Sequence, residues 1–239
     1  MTDRVVGRIP VRECLRAKRR AARKLFVLRG AKELEAIRAE AAGLPIVECS
    51  RSELDVLAER LCHQGVVLEA DPLPIRKAEE WAAAPFPPDC IVVVLDGVED
   101  PQNFGAIVRS ATACGAQAVV FGKDRAAPIS PASAKSAAGA MEHIDLVRAT
   151  NLVRTLDLLK GQGFWAAALD VDGDRVLWEA DLTGRIALVV GSEGKGIRRL
   201  VREHCDLHLR IPLAGPIESL NASVSAGIAL AECLRQRGP

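Results

Sequence analysis

The 239-residue sequence predicts an α/β protein in two parts, a small N-terminal unit followed by a larger one built on a parallel sheet covered on both faces. Three observations carry this reading. From residue 91 onward, apolar runs of about five residues alternate with stretches of helical periodicity; strands buried on both faces read as continuous Val, Ile, Leu and Ala. The stretch Asp71 to Asp89, DPLPIRKAEEWAAAPFPPD, is rich in Pro and Ala with little periodicity and reads as a linker, part of it helical. With 49% hydrophobic and 26% charged residues, the chain has enough apolar side chain for two cores.

In the first part, Val11 to Arg20 reads as a helix, Lys24 to Leu28 as a strand and Ala31 to Ala42 as a helix. Pro45 to Val47 is a short strand, Ser52 to Leu61 a helix and Val66 to Glu69 a strand. In the second part the strands are Ile91 to Leu95, Ala118 to Phe121, Phe164 to Leu169, Ile186 to Val190 and Leu207 to Ile211. Helices fall around Ala106 to Cys114, Ser133 to Ala140, Leu152 to Lys160, Ile197 to Glu203 and Val224 to Leu234. Ligands of such sheets sit at the carboxyl ends of the strands, where DGVEDPQNFG (96–105) and GSEGKG (191–196) both stand. After the last strand, LAGPIESLNASVS (213–225) is made mostly of small residues, with Asn221 and Ser223 suited to backbone-bonding turns and a helix following at once. A ligand can approach main-chain amides closely there.

Composition narrows the class of protein. The start, MTDRVVGRIPVREC, has arginines but no apolar core of a signal, and no apolar run approaches the ~18 residues of a membrane span, so a cytoplasmic location is expected. Seven cysteines, an odd number without a C-x-x-C pair, imply reduced thiols. The net charge of +1 hides twelve basic residues against four acidic ones before residue 39, an excess of eight that reads either as a solvated helix face or as a polyanion footprint. With no Tyr and 3% aromatic residues, base stacking is not the mode of nucleic-acid binding; charge and shape are.

Several motifs fail on inspection. GSEGKGI lacks the spacing of a P-loop, and no G-x-G-x-x-G follows a first strand. DVDGDR (170–175) has its glycine at the fourth position, with Asp181 at the twelfth, unlike a calcium loop. His204, Cys205 and His208 have no second ligand pair, so no metal is expected. Ser219 lacks the G-x-S-x-G frame of a hydrolase.

Three blocks remain: NFGAIVRSATACGA (103–116), ALVVGSEGKGI (187–197) and LRIPLAGPIESLNASVSAGIALAE (209–232). Through them the chain resembles the SpoU family of RNA 2′-O-ribose methyltransferases, within the knotted SPOUT superfamily. The first part, with GRIPVRECL (7–15) and LCHQGVVLE (61–69), resembles the branch that methylates a guanosine of large-subunit (23S) ribosomal RNA, although Ile9 to Val11 stands where that branch has a His-Ala-Val-like stretch. The resemblance implies an L30e-like RNA-binding domain over residues 1–72, a linker over 73–88, and a Rossmann-like methyltransferase domain with a deep trefoil knot over 89–239. It implies S-adenosylmethionine as cofactor, held by backbone at Gly191, Ile211 and Leu220 with Leu213 lining the adenine pocket. It implies a polar set of Arg109, Asn103, Glu193, Ser219 and Asn221, with Glu193 positioning Arg109, and a homodimer in which Arg109 acts in its own subunit or across the interface. A guanidinium keeps its proton far above neutral pH, so Arg109 suits phosphate binding and oxyanion stabilisation better than proton abstraction. The RNA partner is ribosomal, with transfer RNA as the alternative. A non-catalytic RNA-binding relative would be expected to have lost Arg109 or Asn221, and both are present.

Overall fold

A computed structural model of the chain describes residues 2–124 and 129–238. Its first unit contains β1 (Asp3–Val6), α1 (Arg8–Ala17), β2 (Ala22–Leu28), α2 (Glu35–Glu40), β3 (Ile46–Cys49), α3 (Arg51–Leu57) and β4 (Val66–Ala70). The sheet order is β1-β4-β2-β3, with β4 antiparallel to both its neighbours and β2 parallel to β3. Local chemistry sets the boundaries. Lys18, in the left-handed region, ends α1, and Ser50 and Glu53 start α3 with a reciprocal capping box. β1, a four-residue strand reading Asp-Arg-Val-Val, was not expected from the sequence.

The second unit runs β5 (Ile75–Lys77), α4 (Ala78–Ala82), β6 (Ile91–Asp96), α5 (Pro101–Ala113), β7 (Ala118–Gly122), α6 (Pro131–Ala137), β8 (Asp145–Ala149), α7 (Leu152–Gly161), β9 (Trp165–Leu169), β10 (Arg175–Val176), β11 (Ile186–Gly191), α8 (Arg199–Glu203), β12 (Leu207–Arg210) and α9 (Ala222–Arg237). The eight strands are ordered β10-β12-β9-β11-β6-β7-β8-β5 and every neighbouring pair is parallel. Alternate residues of each central strand go to opposite faces: Val93 and Leu95 pack with Phe104 of α5 and Leu230 of α9, while Val92 and Val94 pack with Trp81 of α4 and Leu156 of α7. Both faces are therefore dry, which is why these strands lack polar alternation.

The stretch expected as a linker, 73–88, is structured. β5 forms the edge of the large sheet beside β8, and α4 buries Trp81, whose indole N–H donates to Asp145 at 3.0 Å. α5 begins five residues before its expected start because Asp100 accepts from the amides of Gln102 and Asn103, and Pro101 fills the first helical position. The region expected as one helix from Ala31 to Ala42 is a 3-10 turn (Lys32–Leu34) followed by α2. Among the described residues no helix is long and apolar enough to cross a membrane.

The basic N-terminal stretch is largely used internally. Seven of its twelve cations, Arg8, Arg12, Arg16, Arg19, Arg20, Arg23 and Arg38, are ion-paired with carboxylates. Two of them join the units: Arg19 pairs with Asp145 at the amino end of β8, and Arg20 reaches Glu142 at 2.5 Å, both side chains less than a tenth exposed. Burial, the largest single effect, disfavours the Arg20 charge, but its hydrogen bond to Glu142 and the negative charge of that carboxylate, with a smaller contribution from Cys14, together outweigh it and raise the guanidinium pKa. At the rim His143 meets Glu13 at 2.8 Å, and a Cβ on Gly139 would come within 2.6 Å of Glu13 Cβ, so the units touch closely here. Beside this contact lies a cavity of about 570 Å³ lined by Val6, Leu61 and Cys62 on one side and Ser130 and Met141 on the other.

Candidate active site

The carboxyl ends of β6 and β11 lie side by side, with Asp96 paired to Gly191 in the ladder. From β11 the chain enters a tight loop in which Ser192 and Gly196 exchange backbone hydrogen bonds at 3.1 and 3.0 Å, Gly194 and Gly196 taking positive φ. A Cβ on Gly191 would lie 2.6 Å from Gly196 O, so only glycine lets the loop fold back on its own root.

The tip of this loop carries Glu193, whose Oε1 accepts from Asn103 Nδ2 at 3.1 Å and from Asn221 Nδ2. Asn221 Nδ2 also donates to Asn103 Oδ1 at 3.0 Å, closing a three-membered network from α5, the 191–197 loop and the start of α9. Each member is held from behind. Asn103 sits in the first turn of α5 with its amide capped by Asp100, and Asn221 caps α9 through Oδ1, accepting from Ser223 N at 2.9 Å and Val224 N at 3.3 Å. A cavity of about 200 Å³ opens against the network, bordered by Gly97, Glu99, Ser192 and Lys195.

The other residues implied by the resemblance lie around this centre. Ile211 packs on the core beneath α9, and Leu220 is half-buried. Leu213 and Ser219 are exposed. From Leu213 to Leu220 no main-chain or side-chain group hydrogen-bonds to another described residue, and all but Leu220 are exposed. Arg109 is exposed on α5 and has no ion pair among the described residues. The contact expected between Glu193 and Arg109 is not made. Arg109 lies six positions after Asn103, which places it about 9 Å along the helix and about 240° around it, whereas Glu193 Oε1 is held by the two Asn side-chain amides.

Sequence reasoning missed one pair. Asp96, with a fully buried side chain, accepts from Arg198 N at 2.7 Å and Arg198 Nε at 2.6 Å. The signal was present: a lone carboxylate closing the run IVVVLD. Of the residues weighed as metal ligands, His204 Nδ1 donates to Leu200 O at 2.8 Å, Cys205 is buried with its thiol pushed up to about 12 by that burial, and His208 Nδ1 is buried without a hydrogen-bond partner among the described residues.

Fold and site together define a doubly wound α/β protein whose ligand pocket is built from loops and a helix cap at the carboxyl ends of parallel strands. Residues 90–231 match the SpoU rRNA methylase family, residues 4–76 match the substrate-binding domain of RNA 2′-O ribose methyltransferases, and the chain belongs to the SpoU family. A protein of Mycobacterium sp. (strain KMS) described as an uncharacterized tRNA/rRNA methyltransferase is 43% identical, the match covering 99% of this chain and 77% of that one. A Mycobacterium leprae protein of the same description is also 43% identical, over 99% and 78%. Among solved structures, an RNA 2′-O ribose methyltransferase superposes with a TM-score of 0.80 at 28% identity, covering 99% of this chain and 89% of that one. The SpoU methyltransferase AviRb of Streptomyces viridochromogenes, solved with AdoMet, shares the fold with a TM-score of 0.84 at 23% identity over 99% and 90%.

Proposed function

We propose that this protein transfers a methyl group from S-adenosylmethionine to the 2′-hydroxyl of a guanosine in large-subunit ribosomal RNA. The observation that carries the reading is the Asn103–Glu193–Asn221 network, which joins the three sequence blocks at one point, with Arg109 exposed further along α5 and without an ion pair among the described residues. The residues fit the cofactor: the main chain of 213–220, without internal hydrogen bonds and flanked by Ile211 and Leu220, suits a ligand recognised through backbone, with Gly191 at the root of the adjoining loop. When bound, S-adenosylmethionine supplies a methyl group on a sulfonium. The protein's task is alignment of that carbon with a poorly acidic alcohol. Glu193, fixed by two amides, holds the loop against α5 and α9; Ser219 and Asn221 face the ribose. Arg109 would bind the phosphate next to the target and stabilise the negative charge that develops on the 2′-oxygen as its proton leaves, readying it for the methyl group the cofactor would supply. The proton passes to phosphate or water.

In the same reading the first unit is the L30e-like RNA-binding domain, the final segment threads a trefoil knot, and the protein acts in the cytoplasm as a homodimer. The exposed Val224 and Ile228, one turn apart on α9, support the dimer, as does the exposed Ile217 before them. A monomeric mass in light scattering would count against it. The match of residues 4–76 to a substrate-binding domain supports an RNA substrate, and the match of residues 90–231 to the SpoU rRNA methylase family favours a ribosomal one. A transfer-RNA substrate is the second reading, favoured by a structure described as methylating C/U34 on tRNA, which covers 63% of this chain with a TM-score of 0.58 at 29% identity.

The test is transfer of labelled methyl from S-adenosylmethionine to separated, unmodified ribosomal and transfer RNA, followed by nucleoside analysis. Labelled 2′-O-methylguanosine in large-subunit RNA is the expected result. Label in transfer RNA alone keeps the chemistry and replaces the target.

A further inference from the structure

We propose that Asp96 is a positioning residue for cofactor binding, acting through Arg198 to hold both ends of the 191–197 loop. The inference rests on the reading that this loop meets S-adenosylmethionine. Asp96 ends β6, where its backbone pairs with Gly191, the residue from which the loop departs. Its side chain, with no exposed surface, receives the backbone N–H and the Nε–H of Arg198, the residue to which the loop returns. One residue therefore fixes departure through its main chain and return through its carboxylate. Between these points Ser192 and Gly196 bridge each other, and the tip presents Glu193 to Asn103 and Asn221.

A buried carboxylate is costly unless paired, and an apolar side chain would fill the end of a strand at no such cost. Stability alone does not call for it, whereas a loop that must be pre-shaped for a ligand does. Ordering a slack loop on binding is subtracted from affinity. Arg198 serves as the other half of the clasp while its own side chain stays 53% exposed, so it fills no core.

The experiment is calorimetric titration of the full-length protein with S-adenosylmethionine, together with amide hydrogen exchange at Ser192 and Gly196. In Asp96→Asn an amide with one acceptor oxygen faces two donors, so one of the two bonds is lost. The expected outcome is a cofactor Kd raised about tenfold or more, faster exchange at the two loop amides, and kcat at saturating cofactor within about threefold of the unaltered protein. Arg198→Ala keeps the main-chain bond but leaves the buried Asp96 carboxylate without its cation, whereas the double variant Asp96→Asn with Arg198→Ala removes that charge, so a thermal melt accompanies each; the folded variants should show the same shift, and the double variant should be no worse than the weaker single one. Unchanged Kd in either folded variant, additive losses, or a fall confined to kcat would overturn this inference alone. Failure of the unaltered protein to bind the cofactor would overturn the proposed function and this inference together.

Discussion

Replacing Arg20 by Met removes the cation that faces Glu142 across the junction of the two units. Both side chains are more than nine-tenths buried, and Arg20 additionally bonds Asp3 at 3.0 Å and the carbonyl of Asp71 at 3.1 Å. Without it, the Glu142 carboxylate stays in a dry site with no counter-charge, a situation that costs about 3–5 kcal/mol. The outer pairs Arg19–Asp145 and His143–Glu13 are more exposed and worth about 1 kcal/mol or less each, too little to compensate. For a chain of this size each kcal/mol moves Tm by about 2–4 °C, so a fall of about 6–20 °C is expected. Glu142→Leu alone should be similarly damaging, whereas Arg20→Met with Glu142→Leu should recover most of the loss. Thermal melts and urea titrations of the two single variants and the double variant make the cycle. If Arg20→Met lies within about 1 kcal/mol of the unaltered protein, or if the double variant is as unstable as the sum of the singles, the buried pair does not hold the junction.

Three further outcomes are expected. Arg109→Ala, at an exposed position, should leave melting and cofactor binding unchanged while lowering turnover about a hundredfold or more at saturating RNA; near-normal turnover would remove Arg109 from the chemistry. The Arg235 guanidinium and Gln236 hold the Glu232 carboxyl at about 2 against the opposing effect of burial, so its ionisation stabilises the fold above about pH 4.5 and that contribution disappears as pH falls toward 2. Urea titrations of Glu232→Gln should therefore show a deficit at pH 5 to 7 that closes below pH 4.5, and a deficit independent of pH would contradict this. Burial pushes the thiols of Cys14, Cys90 and Cys233 up to about 11 and that of Cys205 to about 12, whereas Cys62 is exposed. Iodoacetamide at pH 8 should modify Cys62 first by peptide mass mapping, with the four buried thiols protected until denaturant is added.

The central strands were legible because Val92 to Val94 are buried on both sides of the sheet and must be apolar. β8 was not, because Asp145 and Arg148 in DLVRA break the apolar run; the structure employs the first to bind Arg19, Arg76 and Trp81 and lays the second over the Phe121 ring. β5 reads Ile-Arg-Lys, too short and polar to separate from the prolines around it, and only its pairing with β8 makes it a strand. The start of α5 was hidden because Asp100-Pro101 signals a turn and a helix cap equally well. Within the site, the three blocks named the right segments, but the network joins Asn103 to a residue 118 positions later, and no local rule states which amide meets which carboxylate. The placement of Glu193 against Asn103 and Asn221, in preference to Arg109, follows from helix phase, which only the folded chain fixes.

The internal pairing of the N-terminal arginines changes how this unit should respond to salt. Counterions leave an RNA backbone when phosphates meet cations that have no partner of their own. Of the twelve basic residues before position 39, five, Arg4, Lys18, Lys24, Arg29 and Lys32, form no ion pair among the described residues. At about 0.7 ions released per single-strand phosphate contact, the unit's share of the logarithmic dependence of affinity on salt has a slope of about −3.5, where the raw count of cations would give about −8. If the first unit is the RNA-binding domain proposed above, it should hold RNA through a few fixed contacts and keep much of its affinity as ionic strength rises, which filter binding across a salt series measures.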